Sequence, residues 1–299
     1  MSLLSTGGTG FVGKALLKRL EGEPVRLANR ADFYDWPKVL GGVSSVVHLA
    51  ARVHVMRDKV ADPLAAFRAI NVEGTLNLAR QSAATGVRRF IFISSVKVNG
   101  ESTHLGQAFT ADDVAAPLDV YGVSKMEAEQ GLRMIASNTG MEVVIIRPPL
   151  IYGPGVKANF RAMIRGLTSG IPLPLGAIHN RRSLVALDNL VDLIVTCLTH
   201  PGAANQTFLV SDGEDVSTTV LLRSMAEALG RPARLIPVPA SLLKLAAAMV
   251  GKRGVAQRLC ASLQVDIEKT RQLLGWSPPL TLNQGLKKAA EGYLRETGI

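Results

Sequence analysis

Apolar runs of a few residues alternate with longer amphipathic stretches through the first half of the chain. Ser45-Val-Val-His-Leu-Ala50, Arg89-Phe-Ile-Phe-Ile93 and Glu142-Val-Val-Ile-Ile146 are rich in β-branched and aromatic residues with little polar alternation. Strands covered on both faces read this way. Val25-Arg-Leu-Ala28 and the short run at Leu3-Leu4 are further strands. Between them, Ala15, Leu16, Leu17 and Leu20 recur at helical spacing. A long helix is predicted from Asp62 to Thr85, with Pro63 in its first turn and Gly86 as its stop. Leu64, Phe67, Ile70, Leu76 and Leu78 make its inward face. Another helix runs from Tyr121 to about Asn138, with Gly140 beyond its end. Strand–helix alternation of this kind predicts βαβ units and a mostly parallel sheet.

The pattern loosens after Pro149. Gly153-Pro-Gly155 and Gly170-Ile-Pro-Leu-Pro-Leu-Gly176 break any long periodicity. Residues 1–150 are therefore expected to form one regular α/β domain, with a return near 184–212. Residues 151–183 and 213–299 are expected to form a smaller substrate lobe. One spacing is tight: residues 29–44 hold only one short helix, near Trp36 to Leu40, where a dinucleotide fold usually places helix, strand and helix. The edge strand after Asn29 is expected to be missing or shortened.

Two motifs carry chemistry. Gly7-Gly-Thr-Gly10-Phe-Val-Gly13 follows a strand and opens a helix, the arrangement that holds a pyrophosphate on backbone N–H groups at a helix N-terminus. Tyr121 and Lys125 stand one helical turn apart on one face. An ammonium near a phenol favours the phenolate, so a lowered pKa is expected for Tyr121, which would fit it for proton exchange with a hydroxyl or carbonyl.

With 299 residues and 47 % hydrophobic content, the chain can bury one large core and a smaller one. A formal net charge of +10 favours anionic ligands: nucleotides, acidic polymers or lipid surfaces. The basic residues are scattered in pairs, such as Arg88-Arg89, Arg181-Arg182 and Lys252-Arg253, with no basic tail or aromatic stripe. Anionic small-molecule sites are expected, and nucleic acid is not. Cys197 and Cys260 show no metal spacing and are expected to be reduced, buried thiols of a cytoplasmic protein. No metal site is expected. Leu242 to Val250 contains Lys244 and is too short to span a bilayer, and no signal-peptide pattern is seen.

The order and spacing of Gly7/Gly10/Gly13, His48-Leu-Ala-Ala51, Ser94-Ser95 and Tyr121-x-x-x-Lys125 resemble the extended short-chain dehydrogenase/reductases. Arg147-Pro-Pro-Leu-Ile-Tyr-Gly-Pro154, Arg181-Arg-Ser-Leu-Val-Ala-Leu-Asp188-Asn189 and Leu274-Gly-Trp-Ser-Pro278 resemble the later motifs of their nucleotide-sugar epimerase/dehydratase branch. The resemblance implies a Rossmann-type doubly wound α/β fold with a C-terminal substrate lobe, a nucleotide-sugar substrate, and a homodimer. It implies that Ser95, Tyr121 and Lys125 are catalytic. Ser95 would bond the reacting sugar oxygen, Tyr121 would act as acid and base, and Lys125 would hold the nicotinamide ribose. It places the cofactor against Gly7, Gly10, Phe11, Val12, Gly13, Asn29, Arg30, Leu49, Ala50, Ala51, Asn71, Ser94 and Pro148, besides Tyr121 and Lys125. Arg181 would bind the substrate diphosphate, and Asn159 a phosphate or sugar group. Arg147 is expected to make a structural hydrogen bond instead.

Departures from the family pattern narrow these implications. Val96-Lys97 stands where the dehydratases carry an acid pair, which speaks against 4,6-dehydration. Asn29-Arg30 is not acidic at the end of the second strand, which favours NADP over NAD. Asn99 in Val98-Asn-Gly100, with the His54-Val-Met56 stretch, resembles a subgroup that reduces UDP-4-keto-6-deoxy-N-acetylhexosamines at C4 in surface-polysaccharide synthesis. That reduction is the expected reaction, with 4-epimerisation of UDP-glucose or UDP-N-acetylglucosamine as the alternative. A non-catalytic NADP sensor and a steroid- or flavonoid-type reductase are the remaining readings. Retention of Ser95, Tyr121 and Lys125 speaks against the first, and Arg181 against the second.

Overall fold

A computed structural model describes residues 2–28, 36–53, 62–251 and 253–298. In chain order the elements are β1 (Leu3–Thr6), α1 (Phe11–Arg19), β2 (Val25–Ala28), α2 (Trp36–Leu40), β3 (Ser45–His48), α3 (Pro63–Arg68), α4 (Thr75–Ala84), β4 (Arg89–Ile93), α5 (Val120–Thr139) and β5 (Glu142–Arg147). There follow β6 (Leu150–Tyr152), α6 (Ala158–Thr168), β7 (Arg182–Ala186), α7 (Leu187–Thr199), β8 (Thr207–Leu209), β9 (Asp215–Val216) and α8 (Thr218–Ala228). The chain closes with α9 (Ala240–Met249), α10 (Arg253–Cys260), α11 (Glu268–Leu274) and α12 (Leu282–Thr297).

Six strands form one parallel sheet in the order β2-β1-β3-β4-β5-β8. Neighbouring residues of a strand point to opposite faces, and here both faces are covered. Leu4, Val46, Phe90, Phe92, Val143 and Ile145 pack with Leu78 and Ala79 of α4 and with Ala128 and Leu132 of α5. Leu3, Val47, Ile91, Val144 and Ile146 pack on the other side with Leu16 of α1 and with Leu190 and Ile194 of α7. The near-continuous apolar runs follow from this two-sided burial. This is the Rossmann-type doubly wound fold. Among the described residues β2 is the outermost strand on its side, and only the five-residue α2 stands between Trp36 and β3.

A second core lies in the C-terminal half. Short strands β6, β7 and β9 form a three-stranded sheet. Tyr152, Phe160, Ile164 and Leu184 pack there with Leu221, Leu222 and Met225 of α8 and Leu286 and Ala290 of α12. The Thr281 side chain and Gln284 close a capping box at the start of α12, and Gly298 ends it in the left-handed conformation.

Two local differences from the sequence expectation have physical reasons. The expected single helix over Asp62 to Thr85 is interrupted: Ala69–Gly74 form a π-helical turn between α3 and α4. Such a turn inserts a residue and re-aims its neighbours; here it carries buried Asn71. The cysteines are both free, but Cys260 is half-buried rather than buried like Cys197, because α10 lies at the surface.

Candidate active site

The parallel sheet brings the ends of β1, β3, β4 and β5 to one edge. At the end of β1 the chain turns through Gly7, whose φ is +73°. A Cβ there would lie 2.7 Å from the Ala50 backbone nitrogen, so the turn can pass β3 only as glycine. A Cβ on Gly13 would stand 2.2 Å from the Gly7 carbonyl oxygen, and one on Gly10 3.1 Å from it. The Gly10 N–H bonds that same carbonyl at 2.9 Å. Gly10 caps α1 without any side-chain hydrogen bond, and the first turn holds no acidic residue. The first-turn N–H groups therefore have no capping side chain, which suits a pyrophosphate. Phe11 and Val12 form that turn and pack against the core. Leu49, Ala50 and Ala51 run half-buried beside it, and the Ala50 N–H reaches the Thr6 hydroxyl at 3.4 Å. Asn29, Arg30 and His54-Val-Met56 lie outside the described residues.

Strand β4 delivers three consecutive groups. The Ile93 carbonyl accepts a 2.8 Å bond from Lys125 Nζ. The Ser94 hydroxyl turns away and donates to Glu129 at 2.6 Å. Ser95 caps a short 3₁₀ turn over Val96–Val98, and its hydroxyl meets the Tyr121 phenol. Helix α5 supplies the other partners. Asp119 caps it by accepting from the Gly122 N–H at 2.7 Å, and Tyr121, Lys125 and Glu129 follow on one face. Phe67 of α3 packs edge-on against the Tyr121 ring at 6.2 Å.

The electrostatics differ from the expectation drawn from spacing alone. Burial raises the Tyr121 pKa, the Asp119 charge adds to that, and Ser95 opposes it. Lys125 does not reverse the shift, because burial lowers its own pKa to about 7. Its ammonium sits over the Phe92 ring at 4.3 Å and only 6.0 Å from the centre of the Tyr121 ring. The pair is thus a protonated phenol beside an easily deprotonated amine.

Asn71 connects this site to β3. Its Oδ1 accepts from the Arg52 N–H at 2.7 Å, and its Nδ2 donates to the Arg52 carbonyl and the Ser124 hydroxyl, each at 3.0 Å. It braces the loop after β3 against α5. His48 is fixed between Thr6 and Thr75, at 2.6 Å and 2.9 Å. Burial, reinforced by Lys125, lowers its pKa to about 3, so it stays neutral.

Behind the site lies a buried ion pair that sequence reading did not assemble. Arg147 donates to Glu129 from Nε at 2.9 Å and from Nη2 at 2.6 Å, and to Asn99 Oδ1 at 3.1 Å. Arg147 is structural, as expected, and Asn99 is one of its partners. Glu129 also accepts from Arg133 at 3.1 Å. A signal for Glu129 was present: it continues the four-residue spacing of Tyr121 and Lys125 on the inward face. Pro148 is buried after β5, and its carbonyl accepts from the Val96 N–H at 3.0 Å.

Comparison with known proteins decides the family. Residues 3–211 match the NAD dependent epimerase/dehydratase family. The chain belongs to that family. A UDP-glucose 4-epimerase of Vibrio cholerae is 50 % identical, covering 98 % of this chain and 96 % of that protein. The solved UDP-glucuronic acid 4-epimerase of Bacillus cereus, in complex with NAD, has a TM-score of 0.80 at 20 % identity, over 99 % of this chain and 97 % of that one. The structure of RMD from Pseudomonas aeruginosa complexed with NADPH has a TM-score of 0.77 at 24 % identity, over 98 % and 99 %. As a family member this chain is an NAD(P)-dependent nucleotide-sugar enzyme.

The two residues expected to meet substrate lie in the C-terminal half. Asn159 is exposed in the first turn of α6, and Arg181 is exposed just before β7. The Arg181 N–H bonds the Ser262 hydroxyl at 3.0 Å, and its carbonyl accepts from the Leu263 N–H at 2.9 Å. A cleft of about 570 Å³ opens beside it, lined by Leu105, Ala177–Asn180, Pro239–Ser241, Cys260 and Ser262. Ser95, Tyr121 and Lys125 do not line this cleft; the structure brings those three together, with the Ser95 hydroxyl on the Tyr121 phenol and the Lys125 ammonium 6.0 Å from the centre of its ring. Among the described residues no group of histidine, cysteine and acidic side chains is placed to hold a metal, and no helix is long and apolar enough to cross a membrane.

Proposed function

We propose that this enzyme transfers hydride reversibly at C4 of a UDP-sugar, and that 4-epimerisation is its net reaction. The observation that carries the reading is the Ser95, Tyr121 and Lys125 cluster at the end of β4. The identity of half its residues with a UDP-glucose 4-epimerase supports the net reaction. The glycine cradle at α1 holds the cofactor's pyrophosphate, and the bound nicotinamide supplies hydride chemistry. Ser95 orients the C4 oxygen. Tyr121 moves the proton at that oxygen: its phenol donates as C4 is reduced, and it takes the proton as C4 is oxidised once its own proton has passed to a nearby base, for which the Lys125 amine, with its pKa lowered to about 7, is suited. Lys125, held by the Ile93 carbonyl, presents its amine to the nicotinamide ribose. Asn71 and His48 keep the loop after β3 in place. Arg181 meets the substrate diphosphate with its planar fork.

A single-pass 4-keto-6-deoxy-N-acetylhexosamine reductase is the second reading. Two observations favour it. Asn29-Arg30 lacks the acidic residue of NAD-specific members. The phenol of Tyr121, kept protonated by burial, is a donor suited to a carbonyl oxygen. Dehydration is set against by Val96, which is buried, and Lys97, whose ammonium pairs with Asp119 and with Glu101 at 3.0 Å.

Product NMR tests both. Incubation with UDP-glucose or UDP-N-acetylglucosamine and NAD is expected to yield the C4 epimer without net change in nicotinamide absorbance. Consumption of one equivalent of NADPH by UDP-4-keto-6-deoxy-N-acetylglucosamine, without hexose interconversion, would replace the epimerase reading with the reductase. Neither result would sink both.

A further inference from the structure

Helix α9 has an unusual outer face. Ala240, Leu243 and Ala247, at helical spacing, form its half-buried side. On the other side Leu242, Leu245 and Met249 are 56 %, 60 % and 77 % exposed, followed by Val250 at 68 %. A surface helix ordinarily turns charged and polar residues outward. Here no residue of the helix is buried, and Ser241 and Lys244 are its only polar positions.

The charge around it is one-sided. From Ala228 to Val265 the chain has no acidic residue. Arg231, Arg234, Lys244, Lys252, Arg253 and Arg258 fall in that span, which alone carries +6 in a chain of net charge +10. Lys244, Arg253 and Arg258 are exposed on α9 and α10, which pack against each other, and Val255 of α10 adds another exposed apolar group.

We propose that α9 and α10 form a docking surface for an anionic lipid membrane. The Leu242, Leu245 and Met249 stripe enters the headgroup region, and the cations beside it meet acidic headgroups. The attachment is peripheral, because α9 is half the length of a span. Charge decides the occupant. A second copy docked face to face would bring the same acid-free cationic span against itself, with like charges opposed. An anionic bilayer meets both the apolar stripe and the charge. Pro239, Ala240 and Ser241 also line the cleft beside Arg181, so docking brings the cleft mouth to the membrane surface. The proposal stands on these residues alone and holds for either net reaction.

Flotation of the purified full chain with lipid vesicles tests it. The chain is expected to float with vesicles containing phosphatidylglycerol, to float less as salt rises, and to stay behind with phosphatidylcholine alone. The triple variant Leu242→Ser, Leu245→Ser, Met249→Ser is expected to lose binding at least roughly tenfold. Its melting temperature and cofactor affinity should match the parent, because these side chains are exposed. Absence of the chain from anionic vesicles overturns the proposal, as does undiminished binding by the triple variant. A dimer of the parent that this variant dissociates, measured by light scattering, would assign the face to a second copy and also overturn it.

Discussion

Replacing Glu129 with Gln strikes the ion pair behind the site. The Glu129 carboxylate is 1 % exposed and receives two bonds from Arg147, one from Ser94 and one from Arg133. Arg147 is itself 4 % exposed, and without the carboxylate its charge would face only Asn99 and the Ala111 carbonyl. Breaking a buried pair on one side costs about 3–5 kcal/mol. Gln keeps the volume and one acceptor oxygen, which offsets about 1 kcal/mol. Arg133 is half exposed, and its loss counts for little. A net loss of about 2–4 kcal/mol follows for Glu129→Gln, a large share of a typical domain's ~5–15 kcal/mol. Guanidinium unfolding followed by circular dichroism reads it as a lower midpoint at unchanged slope. A second readout separates packing from chemistry. The Glu129 charge raises the pKa of Lys125 against the burial that lowers it. Its removal drops Lys125 further, so turnover should fall at neutral pH and its profile should move to lower pH. A loss below about 1 kcal/mol would refute the charge-pairing argument. A pH profile that stays in place would refute the link to Lys125.

Three further outcomes are expected. Tyr121→Phe should bind cofactor but lose turnover roughly 10²–10⁴-fold, measured by product NMR; substantial residual turnover would remove Tyr121 from its acid-base role. Gly13→Ala forces its Cβ against the Gly7 carbonyl, so cofactor affinity should drop by more than about tenfold, and more than for Gly10→Ala, where the contact is 3.1 Å. Equal Kd values for both variants by nicotinamide fluorescence would count against the cradle. Lys125→Met should stabilise the protein in a pH-dependent way. The folded pKa of Lys125 is about 7 against 10.5 ordinarily, so the unfolded chain binds more protons between those values, and the parent gains stability as pH rises through that window. The variant's advantage, roughly 2–5 kcal/mol, should be full below about pH 7 and shrink towards about 10.5; a constant difference in urea midpoints would contradict it.

Much of the dinucleotide-binding half was legible because its physics is local. Strands covered on both faces are apolar throughout, and β4 falls on the run predicted for it. Glycines end helices where a left-handed residue is needed, as Gly140 does after α5. Tyr121 and Lys125 were found by helical spacing alone. What stayed hidden depends on groups distant in sequence. The Arg147 and Glu129 pair joins β5 to α5, and His48 is held by residues of β1 and α4. The direction of the Tyr121 shift needed burial, which spacing does not report. The π-turn at Asn71 has no helical period to betray it. The strands of the smaller sheet are two to five residues long and pair across wide gaps, so no alternation builds up. Leu242 to Val250 was read as an apolar run, but nothing in a run tells whether neighbours will cover it.

Strand β4 ends with Ile93, Ser94 and Ser95 addressing the amine, the buried carboxylate and the phenol. For an engineer this strand end behaves as a jig: every part is clamped from one edge. Under the proposed function the C-terminal lobe carries the sugar, and it can be exchanged while the jig stays untouched. A single inserted or deleted residue within β4 would rotate each of the three clamps to the opposite face of the sheet. Specificity is therefore open to grafting, while the spacing from Arg89 to Ser95 is closed to it.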